Sequence, residues 1–537
     1  MQRMNILEAL TDNIVVDKEK CVFCGKCVEA CILDNLRMKQ APCQTACPLH
    51  VNCQGYVQLI ARGDEQKAFE VLLESLPFPA IMARVCTAPC EAECHRNAMT
   101  GQAVAIKNLK RFLADNRAKQ RPLPELEEDT GKNIAIVGSG PAGIMAAYDL
   151  KKRGHGVTVF ESESRPGGML RWAIPEFNLP ATVVDEEIGL LRQMGVDFKC
   201  DTRVGADRSF GEIKEEFDAV IVAAGCGSHV ELGVEGERLL NVFHGLKFLK
   251  DVRAGKAPAL GRRAVIIGGG NVALDAARTA FRLGAEEAHV VCLESETGLP
   301  ALKEIVETAA GEGVNFEYGW GPVRITGKEG KVCGVELQRC LAVFDDSGAF
   351  NPRFDSCDKR TLETDTVIIA VGQKIDDSCW EGSGITFPCQ GKPGPLTMAT
   401  SDEKVFVAGD FAGGPSSVVE AMASGRTAAE SARRYVAGEH LSYGRAYDGP
   451  VELEFEKDTS LASDRDRVSV PRREFQGKGD FRENTGPLSR EDAMAEASRC
   501  YSCGAPFGKY RTCWFCLPCE VTCPQEALWV EIPFLLR

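Results

Sequence analysis

Cysteine is the residue type whose number and spacing point most directly to chemistry in this chain. Its 537 residues include 24 cysteines, of which ten precede residue 95, six follow residue 499 and eight lie between. So many thiols are unusual in a protein of a reducing compartment unless they bind something. Because they are concentrated at the two ends, the pattern favours metal binding over a network of disulfides.

Two sets of four cysteines share the spacing C-x2-C-x2-C-x3-C. They are Cys21, Cys24, Cys27 and Cys31 near the amino terminus, and Cys513, Cys516, Cys519 and Cys523 near the carboxyl terminus. In bacterial ferredoxins three thiolates of this motif hold one iron–sulfur cluster and the fourth binds the neighbouring cluster. A zinc site is the alternative for the first set, but zinc sites favour two separated pairs. Cys500 and Cys503 bring the C-terminal segment to six cysteines, so one cluster is expected there, and a second only if another segment or subunit completes it.

Six more cysteines occur among helix-like segments between residues 41 and 120. They are Cys43, Cys47, Cys53, Cys86, Cys90 and Cys94. The last three recur every four residues, so a continuous helix would place their thiols on one face. Apolar residues at three-and-four spacing predict helices over residues 55–76 and 103–116.

Residues 133–148, NIAIVGSGPAGIMAAY, carry a dinucleotide-binding fingerprint between two apolar runs. The first glycine allows a tight turn, the second lets the backbone approach a pyrophosphate, and the third lets a helix pack on the preceding strand. The N-terminus of that helix then faces the phosphates. The candidate contacts are Gly138, Gly140, Pro141, Ala142, Gly143 and, at the end of the next apolar run, Glu161.

A second fingerprint of the form G-x-G-x-x-A starts at residue 263 with RAVIIGGGNVALDAA. Its candidate contacts are Gly268, Gly270, Asn271, Ala273 and, after the following apolar run, Glu294. Two nucleotide folds, the second inserted in the first, are the plan of flavoproteins with two dinucleotide-binding domains. This plan predicts one site for FAD and one for a nicotinamide nucleotide.

Composition limits the other functions to consider. The hydrophobic fraction is 44% and the charged fraction 26%, as in ordinary globular proteins, and the length predicts more than one domain. A net charge of −14 argues against nucleic acid as a partner. No apolar run approaches the length that spans a bilayer, and the first residues lack a signal-peptide pattern, so a cytoplasmic protein is expected.

Several motifs in a fixed order resemble one family. The runs PCQTACP, LPFP, RVCTAPCEAEC and IKNLKRF, between residues 42 and 112, are similar to the helical iron–sulfur domain of the glutamate synthase small subunit. The same domain occurs in dihydropyrimidine dehydrogenase and in NAD(P)H–ferredoxin transhydrogenase large subunits. The resemblance covers residues 41–440 and implies two [4Fe-4S] clusters in the helical domain, FAD in the first nucleotide fold and a nicotinamide nucleotide in the second.

The resemblance also implies the remaining candidate contacts. A loop with paired glycines is expected against the flavin, two buried strands end in glycine turns, and a second FAD signature lies near residue 410. These residues are Gly168, Leu170 and Arg171 in the loop, Ala224, Gly225 and Gly372 after the strands, and Gly409, Asp410 and Val418 in the signature. Hydride passes directly between nicotinamide and flavin, so no catalytic side chain is predicted.

The sequence does not decide which residues bind each cluster. The family uses two cysteines upstream of the position of Cys43, and in this chain they can only come from the first ferredoxin-like set. In some relatives a Gln or Glu of the second helix completes one cluster, whereas Lys110 and Arg111 stand here. Cys53 either fills that gap or is a small buried thiol. The sixteen cysteines at the two ends therefore allow three to four [4Fe-4S] clusters.

Glu294 decides the expected nicotinamide. In NADPH-using relatives a Tyr-Arg-Arg run stands at this strand end, whereas residues 292–294 here are Cys-Leu-Glu. A carboxylate accepts hydrogen bonds from two ribose hydroxyls and repels a 2′-phosphate, so NAD(H) is favoured over the alternative, NADP(H). Arg278, Arg282 or Lys303 would have to fold back to rescue a phosphate.

The expected fold class is α/β, with two nested Rossmann-like dinucleotide-binding domains preceded by a helical iron–sulfur domain and flanked by ferredoxin-like segments at both ends. The predicted domains are residues 1–40 (ferredoxin-like), 41–120 (helical iron–sulfur), 131–260 (FAD, first part), 261–371 (NAD(P)), 372–440 (FAD, second part), 441–487 (extended arm around a partner or the core) and 488–537 (ferredoxin-like).

The predicted function is that of an NAD(P)H-linked flavin and iron–sulfur electron-transfer subunit. Its expected partners are other redox subunits or ferredoxin, in a transhydrogenase- or hydrogenase-type complex whose flavin would be a candidate for electron bifurcation. A glutamate synthase small subunit is the alternative enzyme. An iron–sulfur scaffold with an inactive flavin fold is the non-enzyme alternative.

Overall fold

Two five-stranded parallel sheets form the centre of the computed structural model. It describes residues 14–17, 20–32, 36–117, 121–386, 394–445, 451–457, 459–460, 462–508, 513 and 515–531. The first sheet has the strand order Val405–Val407, Ala219–Val222, Asn133–Val137, Gly156–Phe160, Asp197–Lys199. The second has the order Asn315–Tyr318, Glu287–Cys292, Arg263–Ile267, Thr366–Ile369, Val242–His244. Their central strands are buried apolar runs, as expected where helices cover both faces of a parallel sheet.

Helices and smaller sheets complete the two nested folds. The helices of the first fold are Pro141–Lys152, Met169–Trp172, Ala181–Gln193, Phe210–Glu216, Asp410–Gly413 and Val418–Val436, and those of the second are Gly245–Arg253, Asn271–Leu283 and Lys303–Gly311. An antiparallel sheet, Trp320–Lys328, Lys331–Phe344 and Phe350–Glu363, extends from the second fold. A ribbon of Ser228–His229 and Gln373–Lys374 links the two crossings between the folds. The prediction of nested dinucleotide folds is confirmed.

The helical domain departs from the sequence prediction at two points. Its helices are Pro42–Thr45, Cys53–Ala61, Glu65–Ser75, Pro79–Val85, Pro89–Ala92, His95–Thr100 and Ile106–Arg117. The single helix predicted over residues 55–76 is two helices, because Gly63 turns the chain at a φ of +78° and the Asp64 side chain caps the second helix. The three cysteines at four-residue spacing do not share one helix either, because Ala88 has a φ of +54° and Pro89 begins a new turn.

The two chain ends form one module, not the separate segments that the sequence predicts. Strand Ile14–Val16 pairs antiparallel with Leu528–Val530. Strand Leu36–Lys39 lies between Val451–Glu452 and Ala505–Gly508. The short helices Lys26–Glu29 and Pro518–Thr522 pack together beside these strands. No local sequence pattern could reveal this pairing, since hundreds of residues separate the partners.

The described part of the arm at residues 441–487 wraps the chain's own core. Arg84 and Arg111 of the helical domain bind Glu483, at 2.8 Å in each case. Arg96 donates to the backbone carbonyl of Ser463 at 2.7 Å. Phe78 of the helical domain packs edge-on against Tyr148 of the first fold, within one continuous hydrophobic core. In the described ranges, no helix combines the length and apolarity that a membrane crossing requires.

Candidate functional site

The first fingerprint turn has the shape that a pyrophosphate requires. A Cβ on Gly138 would lie 2.4 Å from the carbonyl oxygen of Ala223, and one on Gly143 would lie 2.0 Å from the carbonyl oxygen of Gly138. Both positions therefore exclude any side chain. By contrast, nothing lies within 4 Å of a Cβ on Gly140, the N-cap residue of helix Pro141–Lys152. This open space at a helix N-terminus fits the phosphates of a dinucleotide.

Glu161 is fixed at the end of the second strand of this sheet. Its buried carboxylate accepts hydrogen bonds from the N–H and the hydroxyl of Ser139, and from the N–H of Glu163 at 2.9 Å. The Ser139 hydroxyl in turn accepts the N–H of Gly167 at 2.9 Å. The acid, the fingerprint turn and the glycine-paired loop are thus bound into one unit, in the position where the fold places a ribose-binding acid.

The glycine-paired loop lies directly on the fingerprint. A Cβ on Gly168 would lie 2.6 Å from the Cα of Gly140, so these two backbones are in contact. Leu170 is fully buried in the core. Arg171 is also buried, and its guanidinium binds Asp185 and the carbonyl oxygen of Pro166, which makes it an anchor of the loop. The loop therefore contacts the fingerprint turn, and the Arg171 side chain is bound by other groups of the protein, while the contact of the loop with a flavin stays a prediction.

The second FAD signature, around Gly409 and Asp410, contacts the helix of the first fingerprint. A Cβ on Gly409 would lie 2.9 Å from the Cβ of Ala142, at the end of strand Val405–Val407. Asp410 accepts hydrogen bonds from the N–H and hydroxyl of Ser416 at 3.0 and 2.7 Å, and burial raises the pKa of its carboxyl. Val418 begins the adjoining helix. After strand Ala219–Val222, the Cα of Ala224 would lie 3.1 Å from a Cβ on Gly138, and Gly225 follows with a φ of +73°.

The second fingerprint repeats this geometry. Gly268 has a φ of +137°, and a Cβ there would lie 2.3 Å from the carbonyl oxygen of Ala370. Gly270 faces open space at the start of helix Asn271–Leu283, as Gly140 does in the first fold. Asn271 accepts the N–H of Leu302 at 2.9 Å, and Ala273 is buried under the turn. Gly372, with a φ of +135°, lies just beyond strand Thr366–Ile369.

Glu294 lies beside this turn, where the sequence predicts it. Its Oε2 would be 3.0 Å from a Cβ on Gly269. Sequence reasoning missed a cation nearby: Arg339 donates to the carbonyl oxygen of Tyr318 at 3.3 Å, and the next residue, Gly319, donates to the carbonyl oxygen of Glu294 at 3.0 Å. Arg339 comes from the antiparallel sheet, for which the fingerprint gives no signal.

Both arginines that are candidates for binding a 2′-phosphate form ion pairs elsewhere. Arg278 and Arg282 both bind Glu312, at 2.8 and 2.7 Å, and both stack on the ring of Phe177. All three ionised side chains are buried. Lys303, in contrast, is almost fully exposed. The arginines therefore tie the second fold to the first and do not point to a nucleotide.

The cysteines of the helical domain form two groups. The buried thiol group consists of Cys47, Cys53, Cys86 and Cys90, and the half-buried thiol group consists of Cys43, Cys94, Cys500 and Cys503. A hydrogen bond with Cys53, burial and the Cys86 thiol all raise the pKa of Cys90. Burial, Cys500 and Cys94 raise the pKa of Cys503 to about 12, and the whole half-buried group lines one cavity.

The upstream cysteine pair of the family thus has a different source from the one predicted. Cys500 and Cys503 stand beside Cys43 and Cys94, whereas the first ferredoxin-like set lies elsewhere. Cys500 and Cys503 follow helix Arg490–Ala497 in the chain. A buried ion pair between Glu496 and Arg499 holds the C-terminal end of this helix in place. Cys53 is buried within the domain and shares hydrogen bonds with Cys43 and Cys90.

The terminal cysteines also form two groups, and each group combines both chain ends. The first ferredoxin group is Cys21, Cys24, Cys27 and Cys523, which line one cavity. The second is Cys31, Cys513, Cys516 and Cys519. Burial and the Cys21, Cys24 and Cys523 thiols raise the pKa of Cys27 to about 12. Burial, Cys31, Cys513 and Cys516 raise that of Cys519 to about 11.

The donor chemistry of all four groups fits iron–sulfur clusters. Each group brings four thiols together, and no described cysteine is in a disulfide. Among the described residues, no Cys, His, Asp and Glu side chains are grouped as a single metal ion requires. Close, buried thiols raise one another's pKa, so bound iron would supply the positive charge that their ionised forms need.

Comparison with known families agrees with this geometry. Residues 132–425 match the family described as pyridine nucleotide-disulphide oxidoreductase. The chain belongs to this family. Residues 5–122 match a second family, described as dihydropyrimidine dehydrogenase domain II, 4Fe-4S cluster. The chain is therefore an NAD(P)H-dependent oxidoreductase with FAD and iron–sulfur as cofactors, which confirms that part of the sequence prediction.

Curated relatives extend over most of the chain. The beta subunit of NADP(+)-dependent formate dehydrogenase from Moorella thermoacetica is 33% identical over 86% of this chain and 70% of its own. The beta subunit of NADPH-Fe(3+) oxidoreductase from Geobacter sulfurreducens is 32% identical over 86% and 75%. The glutamate synthase [NADPH] small chain of Halomonas elongata is 32% identical over 73% and 88%. The predicted resemblance is confirmed.

A solved structure supports the same fold. FprA of Mycobacterium tuberculosis in complex with NADPH superposes with a TM-score of 0.50 and 21% identity, over 57% of this chain and 85% of its own.

Proposed function

We propose that this oxidoreductase is the electron-transfer subunit of a larger redox complex and holds four [4Fe-4S] clusters, one in each thiol group. The observation that carries the proposal is the grouping of sixteen thiols into four sets of four on a chain with two dinucleotide turns. When bound, FAD exchanges hydride with the nicotinamide and single electrons with the clusters.

The chain's own residues have defined roles in this proposal. Gly140 and Gly270 leave room for the two pyrophosphates at helix N-termini. Glu161, whose carboxylate is held by a hydrogen bond from Ser139, would accept hydrogen bonds from the ribose hydroxyls of FAD. The core that joins the helical domain to the first fold excludes water between the flavin fold and the buried thiol group. We propose no second catalytic site besides these nucleotide and cluster sites.

We expect NADH to be the preferred nicotinamide, because the Glu294 carboxylate lies at the fingerprint turn and Arg278 and Arg282 are bound to Glu312. The opposite preference, for NADPH, has support from the names of the three relatives and from Arg339 near the backbone of Glu294. Steady-state kcat/KM for both nucleotides separates the two. A higher kcat/KM for NADPH would contradict the expectation, and a fall of that value in Arg339→Gln would identify Arg339 as the contact of the 2′-phosphate.

The proposed partners are other redox subunits or ferredoxin, in a transhydrogenase- or hydrogenase-type complex, and electron bifurcation at the FAD belongs to this proposal. The second candidate is a glutamate synthase small subunit, which the 88% coverage of the Halomonas chain favours. The ferredoxin module formed by both ends favours the first candidate, because it adds two thiol groups outside the helical domain. Glutamate formation on addition of a glutamate synthase large subunit would favour the second.

Anaerobic reduction tests the core of the proposal. NADH or NADPH added to the purified chain should bleach the flavin absorbance and produce electron paramagnetic resonance signals of reduced clusters. A bound flavin that neither nucleotide bleaches would instead favour the iron–sulfur scaffold, the non-enzyme alternative.

A further inference from the structure

Lys110 is a buried cation at the centre of the helical domain. It lies in helix Ile106–Arg117 and is only 5% exposed. Its helix neighbours Leu109 and Leu113 are fully buried. A buried ammonium is costly unless an opposite charge compensates it, so the groups that face Lys110 indicate what it is for.

The helix of Lys110 packs against the helices Cys53–Ala61, Pro79–Val85 and Pro89–Ala92, which carry Cys53 and Cys90 and end directly before Cys86. The groups that face Lys110 are therefore thiols. Burial lowers the pKa of its ammonium, but Cys86, Cys90, Cys53 and Cys47 together outweigh burial and raise it. These four residues are the complete buried thiol group. Throughout the described chain, no carboxylate forms an ion pair with Lys110, so the thiols of this group, which would be ionised when they bind iron, are the counter-charge available to it.

The neighbouring cations of the same helix are partnered differently. Lys107 binds Glu304 at 2.8 Å. Arg111 binds Asp115 at 3.1 Å and Glu483 at 2.8 Å. Lys110 alone of these three directs its charge to the cysteines, so its position is not explained by a structural ion pair.

A fixed cation has a definite effect on a cluster. Four thiolates and a [4Fe-4S] core are net negative, and reduction adds one electron and no proton at the lysine. A nearby positive charge therefore stabilises the reduced form more than the oxidised form, which raises the reduction potential. In the proposed assignment Cys53, which is hydrogen-bonded to Cys90 and to Cys43, supplies the fourth thiolate, so the lysine acts through its charge and not as a ligand.

We propose that Lys110 is a positioning residue that raises the reduction potential of the cluster in the buried thiol group. The inference rests on the proposed function only in assigning a cluster to those four cysteines. The electron comes from the flavin that NAD(P)H reduces. The consequence is that this cluster accepts electrons more readily than it would with a neutral side chain at position 110.

A redox titration of the full chain with its cofactors tests the proposal, with cluster signals followed by electron paramagnetic resonance. In Lys110→Gln the equilibrium constant for reduction of one cluster should fall about tenfold or more, equivalent to about 59 mV for one electron. The other signals should not move. Lys110→Arg should restore the wild-type potential, and Lys107→Gln is the matched control on the same helix.

The outcomes separate this proposal from the proposed function. Unchanged potentials in Lys110→Gln at full iron content overturn the role of Lys110 alone. If the Gln variant loses iron, Lys110→Met, which keeps the length and apolar stem, is titrated instead, and an unchanged potential there also overturns it. Unchanged iron content and signals in Cys53→Ser contradict the cluster assignment and thus the proposed function.

Discussion

Ile14 pairs with Val530 in an antiparallel ladder, so residues near opposite ends of a 537-residue chain are neighbours. The pairing brings Cys523 beside Cys21, Cys24 and Cys27. It also brings Cys31 beside Cys519 and Cys513. Each group thus combines the first three cysteines of one motif with the fourth cysteine of the other motif. Bacterial ferredoxins share their cysteines in the same way, but there the two motifs are close in sequence.

Iron content in paired variants should identify the half-buried thiol group. Cys500→Ser is expected to lose about four irons, the content of one cluster. Adding Cys94→Ser should lose no more, because both residues belong to one group, whereas adding Cys86→Ser should lose about four further irons. Cys333→Ser, at an exposed cysteine outside all four groups, is the control. A Cys500/Cys94 pair that loses twice as much as either single variant would refute the grouping.

The ligand types of these groups could be predicted from sequence, but their grouping could not. The spacing around Cys21 and Cys513 identifies cluster motifs because it reflects local backbone geometry. The partner of Cys43, in contrast, depends on helix Arg490–Ala497, which the arm carries back to the helical domain. Sequence reasoning also placed Cys94 with Cys86, because Ala88 in the left-handed region has no local signal.

The two nucleotide-binding turns, in contrast, could be predicted from the sequence because their contacts are local. Gly138 and Gly268 are required by contacts within one strand–turn–helix unit, which a short sequence window contains. Arg339 was missed because it belongs to a separate antiparallel sheet and is joined to the backbone of Glu294 only through Tyr318 and Gly319. Features that arise within one motif can be predicted from sequence, and features that join distant segments need the structure.

Two glycines of the first turn should respond differently to alanine. Gly143→Ala places a Cβ 2.0 Å from a backbone oxygen and is expected to lower the thermal unfolding midpoint of the protein itself. Gly140→Ala meets no protein atom within 4 Å, so the fold should remain while FAD binding weakens. Thermal unfolding and flavin content after desalting measure the two effects. Gly211→Ala, at an open helix position, should change neither adversely. Retained flavin in Gly140→Ala would contradict the assignment of the phosphate site.

The ion pairs of Glu312 should be important for stability and not for nucleotide choice. Glu312→Gln leaves the guanidinium groups of Arg278 and Arg282 buried without a carboxylate, which is expected to cost about 3 kcal/mol. Chemical denaturation measures the loss. Glu363→Gln removes an exposed ion pair with Arg263 and should cost little. A changed preference between NADH and NADPH in Glu312→Gln, without lost stability, would contradict this role.

Glu187 predicts a pH dependence at the contact between the helical domain and the first fold. Burial raises the pKa of its carboxyl to about 7, although Arg121 and the N–H of Ala80 act against this. The folded state therefore favours the neutral form, and its stabilisation is full below the ordinary value of 4.5 and lost as pH rises through about 7. Glu187→Gln should raise the thermal midpoint at pH 8 and change it little at pH 4.5. A lower midpoint at pH 8 would mean that the ion pair with Arg121 dominates.

Iron content after combined substitution of Cys21 and Cys523 tests the central claim most directly. The wild-type chain should carry about sixteen irons per FAD, and either single serine variant should lose about four. The double variant Cys21→Ser/Cys523→Ser should lose the same four, because both thiols belong to the first ferredoxin group, while Cys513→Ser/Cys523→Ser should lose about eight. The reverse result, about eight irons lost from the Cys21/Cys523 pair and about four from the Cys513/Cys523 pair, would contradict a ferredoxin module shared between the chain ends.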